Sequence, residues 1–179
     1  MTDWNTVATV VGPQYRRVRA LLAHFGAAST SDYLNVLLVR VADIPAFLDA
    51  LADELAARPD AAASVSRVVP LTHTFDFQTP EAFEQVADLA VREWLPQLRG
   101  ARFHVRMHRR GFKGRLSSQA EEQRLDALLM AALQPDDGGA RISFDDPDFI
   151  IAVETVGQRG GASCWSREQR ARYPFLKLD

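Results

Sequence analysis

The chain has 179 residues, 47% apolar and 25% charged, with 10 Gly and 9 Pro. This ordinary globular composition excludes collagen-like and low-complexity architectures. The single cysteine, Cys164, excludes an internal disulfide framework and any multi-cysteine metal site. No apolar run approaches the ~18–20 residues that span a bilayer, and the opening MTDWNTVATVVG has no Lys or Arg, so neither membrane nor secretory signal is expected and the setting reads as cytoplasmic.

The net charge of −2 is an average over unlike halves. Residues 1–90 hold 6 basic and 11 acidic side chains, net −5, whereas residues 91–179 hold 15 and 12, net +3. Between Glu93 and Glu121 there is no acid, only Arg99, Arg102, Arg106, Arg109, Arg110, Lys113 and Arg115. Arginine's planar fork pairs bidentately with phosphate, and such asymmetry points to a polyanion contact on part of the surface. The acidic surface near residues 1–60 is where a protein partner is expected.

In chain order, the β-branched run 5–11 predicts a strand. Gly12-Pro13 starts a helix with Tyr15, Val18, Leu21, Leu22 and Phe25 on one face, and Gly26 is expected to stop it. Residues 34–41 read as a buried strand. Asp43 caps a helix with Ile44, Phe47, Leu48, Leu51 and Leu55 at helical spacing, ended by Arg58-Pro59. Residues 64–71 return as a strand. With a short strand at 27–31 the segment spells β-α-β-β-α-β, a ferredoxin-like unit. A linker at about 72–79 follows.

The second unit opens at Thr79-Pro80, a cap and a proline in the first turn, with Phe83, Val86, Ala87, Ala90 and Trp94 facing inward. Residues 102–108 alternate: Phe103, Val105 and Met107 point one way, Arg102, His104, Arg106 and His108 the other. The loop RRGFKGRL leads to Ser118-Gln119-Ala120-Glu121, read as a capping box on a helix with Leu125, Leu128, Leu129 and Ala132 inward. PDDGG at 135–139 breaks the chain. Strands are expected at 140–144 and 149–156, around the turn Asp145-Asp146-Pro147-Asp148, and more weakly at 162–166 and 173–178. The domain boundaries are set at 1–78 and 79–179.

The strand–loop–helix combination carries the chemistry. The strand presents Arg102, His104, Arg106 and His108, and the loop adds Arg109, Arg110, Gly111, Lys113 and Arg115. The helix opening at Ser118 offers free N–H groups and a positive dipole end. Together they resemble a phosphate cradle. His104 and His108 lie ~13 Å apart on a strand, too far to share one metal ion. The Asp145–Asp148 cluster reads as a turn, and Cys164 as an inert buried thiol. No P-loop, GxGxxG or G-x-S-x-G occurs, so no cofactor is expected.

The run RFHVRMHRRGFKGRLSSQAEEQRLDALL, followed by RISFDDPDFIIAVETVG, resembles a THUMP domain. Arg106, Arg109, Gly111, Ser118, Glu121, Pro147 and Asp148 match its pattern over roughly 80–179, and THUMP domains commonly follow a ferredoxin-like unit. The resemblance is closest to short proteins similar to the tRNA acetylation adaptor. It implies an α/β (α+β) chain in which the ferredoxin-like unit packs against a THUMP-type unit with a mixed sheet. It also implies tRNA binding at the acceptor stem and 3′ end, delivery to a separate tRNA-modifying enzyme, and no catalysis by the chain itself, which ends at Asp179. The alternatives are a small enzyme holding a phosphorylated metabolite in the basic pocket, a KH-like RNA binder suggested by the GFKG quartet, and a regulatory module whose basic face meets an acidic protein. The oligomeric state stays open.

Overall fold

The computed structural model describes residues 3–133 and 139–178. The break expected at 135–139 lies, except for Gly139, outside the described residues. The chain divides into two compact units, 1–70 with 172–177 and 71–171 with 178–179. No helix among the described residues is long and apolar enough to cross a membrane.

In the first unit an antiparallel sheet has the order β2-β3-β1-β4, from β1 (Thr6–Val10), β2 (Ala27–Thr30), β3 (Val36–Arg40) and β4 (Val65–Pro70). Helices α1 (Tyr15–Leu22) and α2 (Ile44–Ala57) complete the split βαβ plan. Val18, Leu21 and Leu22 of α1 are buried, as are Phe47, Leu48, Leu51 and Leu55 of α2. The Asp43 carboxylate caps α2 by accepting from the Ala46 N–H at 2.9 Å. Pro59 ends one helix and starts another, α3 (Pro59–Ser64), because a proline needs no N–H partner in a first turn.

Two expectations are corrected here. Gly26 does not stop α1, which ends at Leu22; a Cβ on Gly26 would lie 2.1 Å from the Arg40 carbonyl oxygen, so the residue is required by close approach to β3. Residues 173–178 form no strand. Pro174 cannot donate to a ladder, and the segment is held by the Val68 N–H donating to the Phe175 carbonyl at 2.9 Å and the Tyr173 hydroxyl donating to Asp49 at 2.6 Å.

The second unit is built on a mixed sheet of order β5-β9-β8-β6-β7. Its strands are β5 (His73–Asp76), β6 (Arg102–Arg110), β7 (Arg141–Ile142), β8 (Phe149–Val156) and β9 (Arg159–Ser166). β6 runs parallel to β7 and β8, and β9 is antiparallel to β8 and β5. Phe103, Val105 and Met107 pack with Phe83, Ala87 and Val91 of α4 (Pro80–Arg92) and Leu125 and Leu129 of α6 (Ser118–Ala132). The short α5 (Leu95–Leu98) leads into β6, and α7 (Arg167–Arg172), not expected from sequence, follows β9. The supposed linker 72–79 contributes β5, whose pairing needs Gly161: a Cβ there would sit 2.4 Å from the His73 carbonyl oxygen.

Gly26→Ala forces either α1's exit or β3 to shift. It is expected to lower stability by about 1–3 kcal/mol, read as an earlier urea midpoint with the slope unchanged.

Candidate nucleic-acid interface

β7 pairs with β6 only at Arg102 and Phe103. Beyond that the β6 edge is completed by side chains of α6: the Val105 N–H donates to Asp126 Oδ1 at 2.8 Å and the Met107 N–H to Glu122 Oε1 at 2.7 Å. Burial pushes the Asp126 carboxyl up to about 7, against the opposing effect of the Val105 N–H. Burial likewise raises Glu121, which Arg124 contacts at 2.8 Å.

β6 and β8 finish at one end of the sheet, where the Gly157 N–H donates to the Arg110 carbonyl and the Phe77 N–H to the Gln158 carbonyl, both at 2.9 Å. α6 starts there. α4 runs beside it in the same direction, since Glu121 lies near Glu84 and Arg124 bonds Asp88 at 2.5 Å. Two positive helix ends thus meet the carboxyl ends of two parallel strands, where open α/β sheets place ligands.

The connecting loop has Gly111 at φ 105°, Phe112 at 52° and Gly114 at 76°. Phe112 stacks on Phe77 at 5.1 Å, and the Arg115 guanidinium lies 5.1 Å from the Phe112 ring centre. Lys113 and Arg115 are exposed, and Arg109 donates to the Gly111 carbonyl. The helix cap is Ser117, whose hydroxyl accepts from the Ala120 N–H at 3.3 Å. The expected box on Ser118 and Glu121 is therefore displaced by one residue, and Glu121 turns to Arg124 instead. The GFKG quartet joins a strand to a helix.

The other predicted residues are largely neutralised by acids distant in sequence. Arg102 lies 3.4 Å from Asp148 and 3.8 Å from Asp146, Arg106 3.9 Å from Glu122, His108 3.6 Å from Glu154, and Arg110 2.6 Å from Glu154. His104 departs from expectation. It is 1% exposed, with Nδ1 2.8 Å from the Ser143 carbonyl and its ring 4.9 Å from Phe144, so it is a structural residue rather than a contact for ligand. Among the C-terminal cations, Arg167 bonds Asp146 and Asp148, each at 2.8 Å, Arg170 bonds the Trp165 and Pro147 carbonyls, and Arg172 bonds Asp49. Lys177 is exposed.

The aspartate turn holds the sheet. Asp148 accepts from the Arg102 N–H at 2.8 Å, which lowers its pKa, while its own N–H donates to the Arg102 carbonyl at 2.7 Å. Burial pushes the Cys164 thiol up to about 12, so it is not a poised nucleophile.

Sequence reasoning missed Glu154, Glu122 and Asp126. Glu154 is 0% exposed on β8 between His108 and Arg110. Its signal was a carboxylate inside an otherwise apolar strand, FIIAVETV, a placement that demands a partner.

No family model and no curated protein matches the sequence. Solved structures do match. PH1313 from Pyrococcus horikoshii Ot3 is 10% identical with a TM-score of 0.59 over 90% of this chain and 54% of its own. TrmN from Thermus thermophilus is 17% identical with a TM-score of 0.60 over 90% and 44%. A 4-thiouridine synthetase, solved with RNA and ATP, is 11% identical with a TM-score of 0.56 over 91% and 42%. The chain thus has a THUMP-like α/β fold and spans about half the length of these proteins or less. The expectation that the chain is not an enzyme is overturned. The similar structures include a protein described as a putative methyltransferase complexed with SAH (17% identical, TM-score 0.51), so this fold occurs within enzymes.

Two outcomes follow from the buried acids. With a folded pKa near 7 against an ordinary 3.8, Asp126 retains in the folded protein a proton that the unfolded chain has released between those values. Its contribution therefore makes stability fall as pH rises from about 4 to 7 and level off above. Asp126→Asn is expected to remove about 2 kcal/mol of the stability difference between pH 5 and 7.5, measured by urea unfolding. Glu154→Leu strands the Arg110 guanidinium and is expected to cost about 3–5 kcal/mol. The joint Glu154→Leu/Arg110→Leu variant should recover much of that loss.

Proposed function

We infer that this chain binds tRNA at the end of the second unit where β6 and β8 finish, and presents the acceptor stem and 3′ end to a tRNA-modifying enzyme. The observation that carries this reading is the convergence of Arg109, Lys113 and Arg115 on the start of α6, beside the start of α4. Free N–H groups, helix dipoles and exposed cations at one place are what a phosphate needs. Gly111 and Gly114 let the backbone approach the ligand. The resemblance to THUMP domains and the structural likeness to a 4-thiouridine synthetase solved with RNA support the choice of RNA.

In this assignment Arg102, Arg106, His108 and Arg110 form a column that flanks the phosphate site, oriented by Asp148, Glu122 and Glu154. Ser118, the first residue of α6, contributes its N–H rather than the cap. A modifying enzyme is the partner this role requires, and the cytoplasm is its setting.

The test is tRNA binding by the purified chain across salt concentrations. Lys113→Glu/Arg115→Glu is expected to weaken binding at least tenfold at ~0.15 M salt and to flatten the log–log salt slope by roughly 1–2. Removing the 3′-terminal nucleotides should weaken binding as well. Equal affinity for full-length and truncated tRNA, or for a nonspecific polyanion, would sink the acceptor-end assignment.

A further inference from the structure

Helix α1 runs against the charge of the half that contains it. Between Asp3 and Asp32 the sequence has no acid, and Arg16, Arg17 and Arg19 all lie on α1, with His24 just beyond it. Burial of Val18, Leu21 and Leu22 turns the three arginines to solvent. Asp60 takes up Arg17 at 2.5 Å. Arg16 and Arg19 share a face one turn apart, and their guanidinium groups have no ion pair or hydrogen bond among the described residues.

Beside the start of α1 is an open hollow of about 680 Å³, lined by Tyr15, Ser31, Tyr33, Leu34 and Asn35 among others. The Tyr15 and Ser31 hydroxyls each donate to the Val36 carbonyl at 3.0 Å. Tyr33 and Asn35 also line the hollow, and their side-chain polar groups make no hydrogen bond among the described residues. Leu34 is 89% exposed, and packing within the unit gives no reason for a leucine there. Asp32 is the one acid on the lining.

We propose that α1 and this hollow form a second RNA-binding surface, in which Arg16 and Arg19 hold backbone phosphates and Tyr33 and Leu34 hold an unpaired base. The inference rests on the RNA reading above and extends it to the first unit. Guanidinium groups one turn apart suit adjacent phosphates, and an aromatic and apolar platform accepts a base face without reading its sequence. An acidic protein could meet the two arginines, but the tyrosine and the amide beside them match the face and edge of a nucleobase.

The experiment measures binding of labelled tRNA to the full chain over a salt series, with circular dichroism to verify each variant's fold. Arg16→Glu/Arg19→Glu is expected to bind at least tenfold more weakly at ~0.15 M salt, with a slope shallower by roughly 1–2. Tyr33→Ala/Leu34→Ala should weaken binding severalfold at an unchanged slope. Arg92→Glu, an exposed cation at the far end of α4, should bind like the wild type. Wild-type binding by both first-unit variants, with binding lost in Lys113→Glu/Arg115→Glu, overturns the second surface and leaves the first. An Arg92→Glu loss as large as that of Arg16→Glu/Arg19→Glu also overturns it, because bulk charge then explains the effect. Failure of the wild-type chain to bind tRNA removes both.

Discussion

The second unit depends on how the main chain of β6 is satisfied once β7 stops. A buried N–H without a partner costs about 1–3 kcal/mol, and two such groups, on Val105 and Met107, lie beyond the last β7 pairing. Helix α6 supplies both acceptors. Glu122 and Asp126 are four apart on a helix, a rise of roughly 6 Å; the N–H groups are two apart on a strand, roughly 6.6 Å. Because the spacings match, one axial position of α6 satisfies both bonds, and a slip of the helix would break them together. That register places Ser117 and the loop 111–116 over the end of β6. The geometry of the candidate interface is therefore set from the side of the sheet, by carboxylates that accept from the main chain of β6.

The same acids change the meaning of the basic run. In sequence, residues 94–120 contain no acid; in space, Arg102, Arg106 and Arg110 each face a carboxylate that arrives from later in the chain. Glu154 is the extreme case, because an ionised carboxylate at full burial is tolerable only beside a cation. Local charge density overstated how much free positive charge the strand offers; the loop's Lys113 and Arg115 form no ion pair among the described residues, although Arg115 lies within electrostatic reach of Glu81 on α4. In the first unit the same arithmetic misled in the other direction. A net negative half contains a helix whose exposed arginines are only partly neutralised.

The fold was legible wherever a period or a cap reports on the local backbone. The stripe of α2, the alternation of β6 and the Thr79-Pro80 start of α4 all stand where the pattern puts them. What could not be read depends on contacts remote in sequence. Gly26 looks like a helix stop but answers to Arg40, and Gly160-Gly161 hides the beginning of β9 because a strand glycine is explained only by the neighbour that approaches it. The four-residue β5 looked like a linker because its partner lies more than 80 residues away. At the site, the loop and the helix start were legible from glycines and serines. The burial of His104 was not, since alternation assigns a face and does not say what covers it.

The separation of paired from free cations bears on how an RNA ligand would be held. Counterion release, the salt-sensitive part of affinity, scales with phosphates newly neutralised. An arginine already matched to a buried carboxylate gives up part of that match when it turns to phosphate, so its net contribution to affinity is small. What it offers is direction, because its guanidinium is fixed before the ligand arrives. Lys113, Arg115, Arg16 and Arg19 are exposed and contribute charge with less fixed geometry. Arg110, bonded to Glu154 at 2.6 Å, would contribute geometry with little free charge, and Arg106, 3.9 Å from Glu122, is less firmly fixed. For an RNA ligand, ionic strength would act mainly on the first group and substitution of the partner acids mainly on the second, which would separate affinity from positioning.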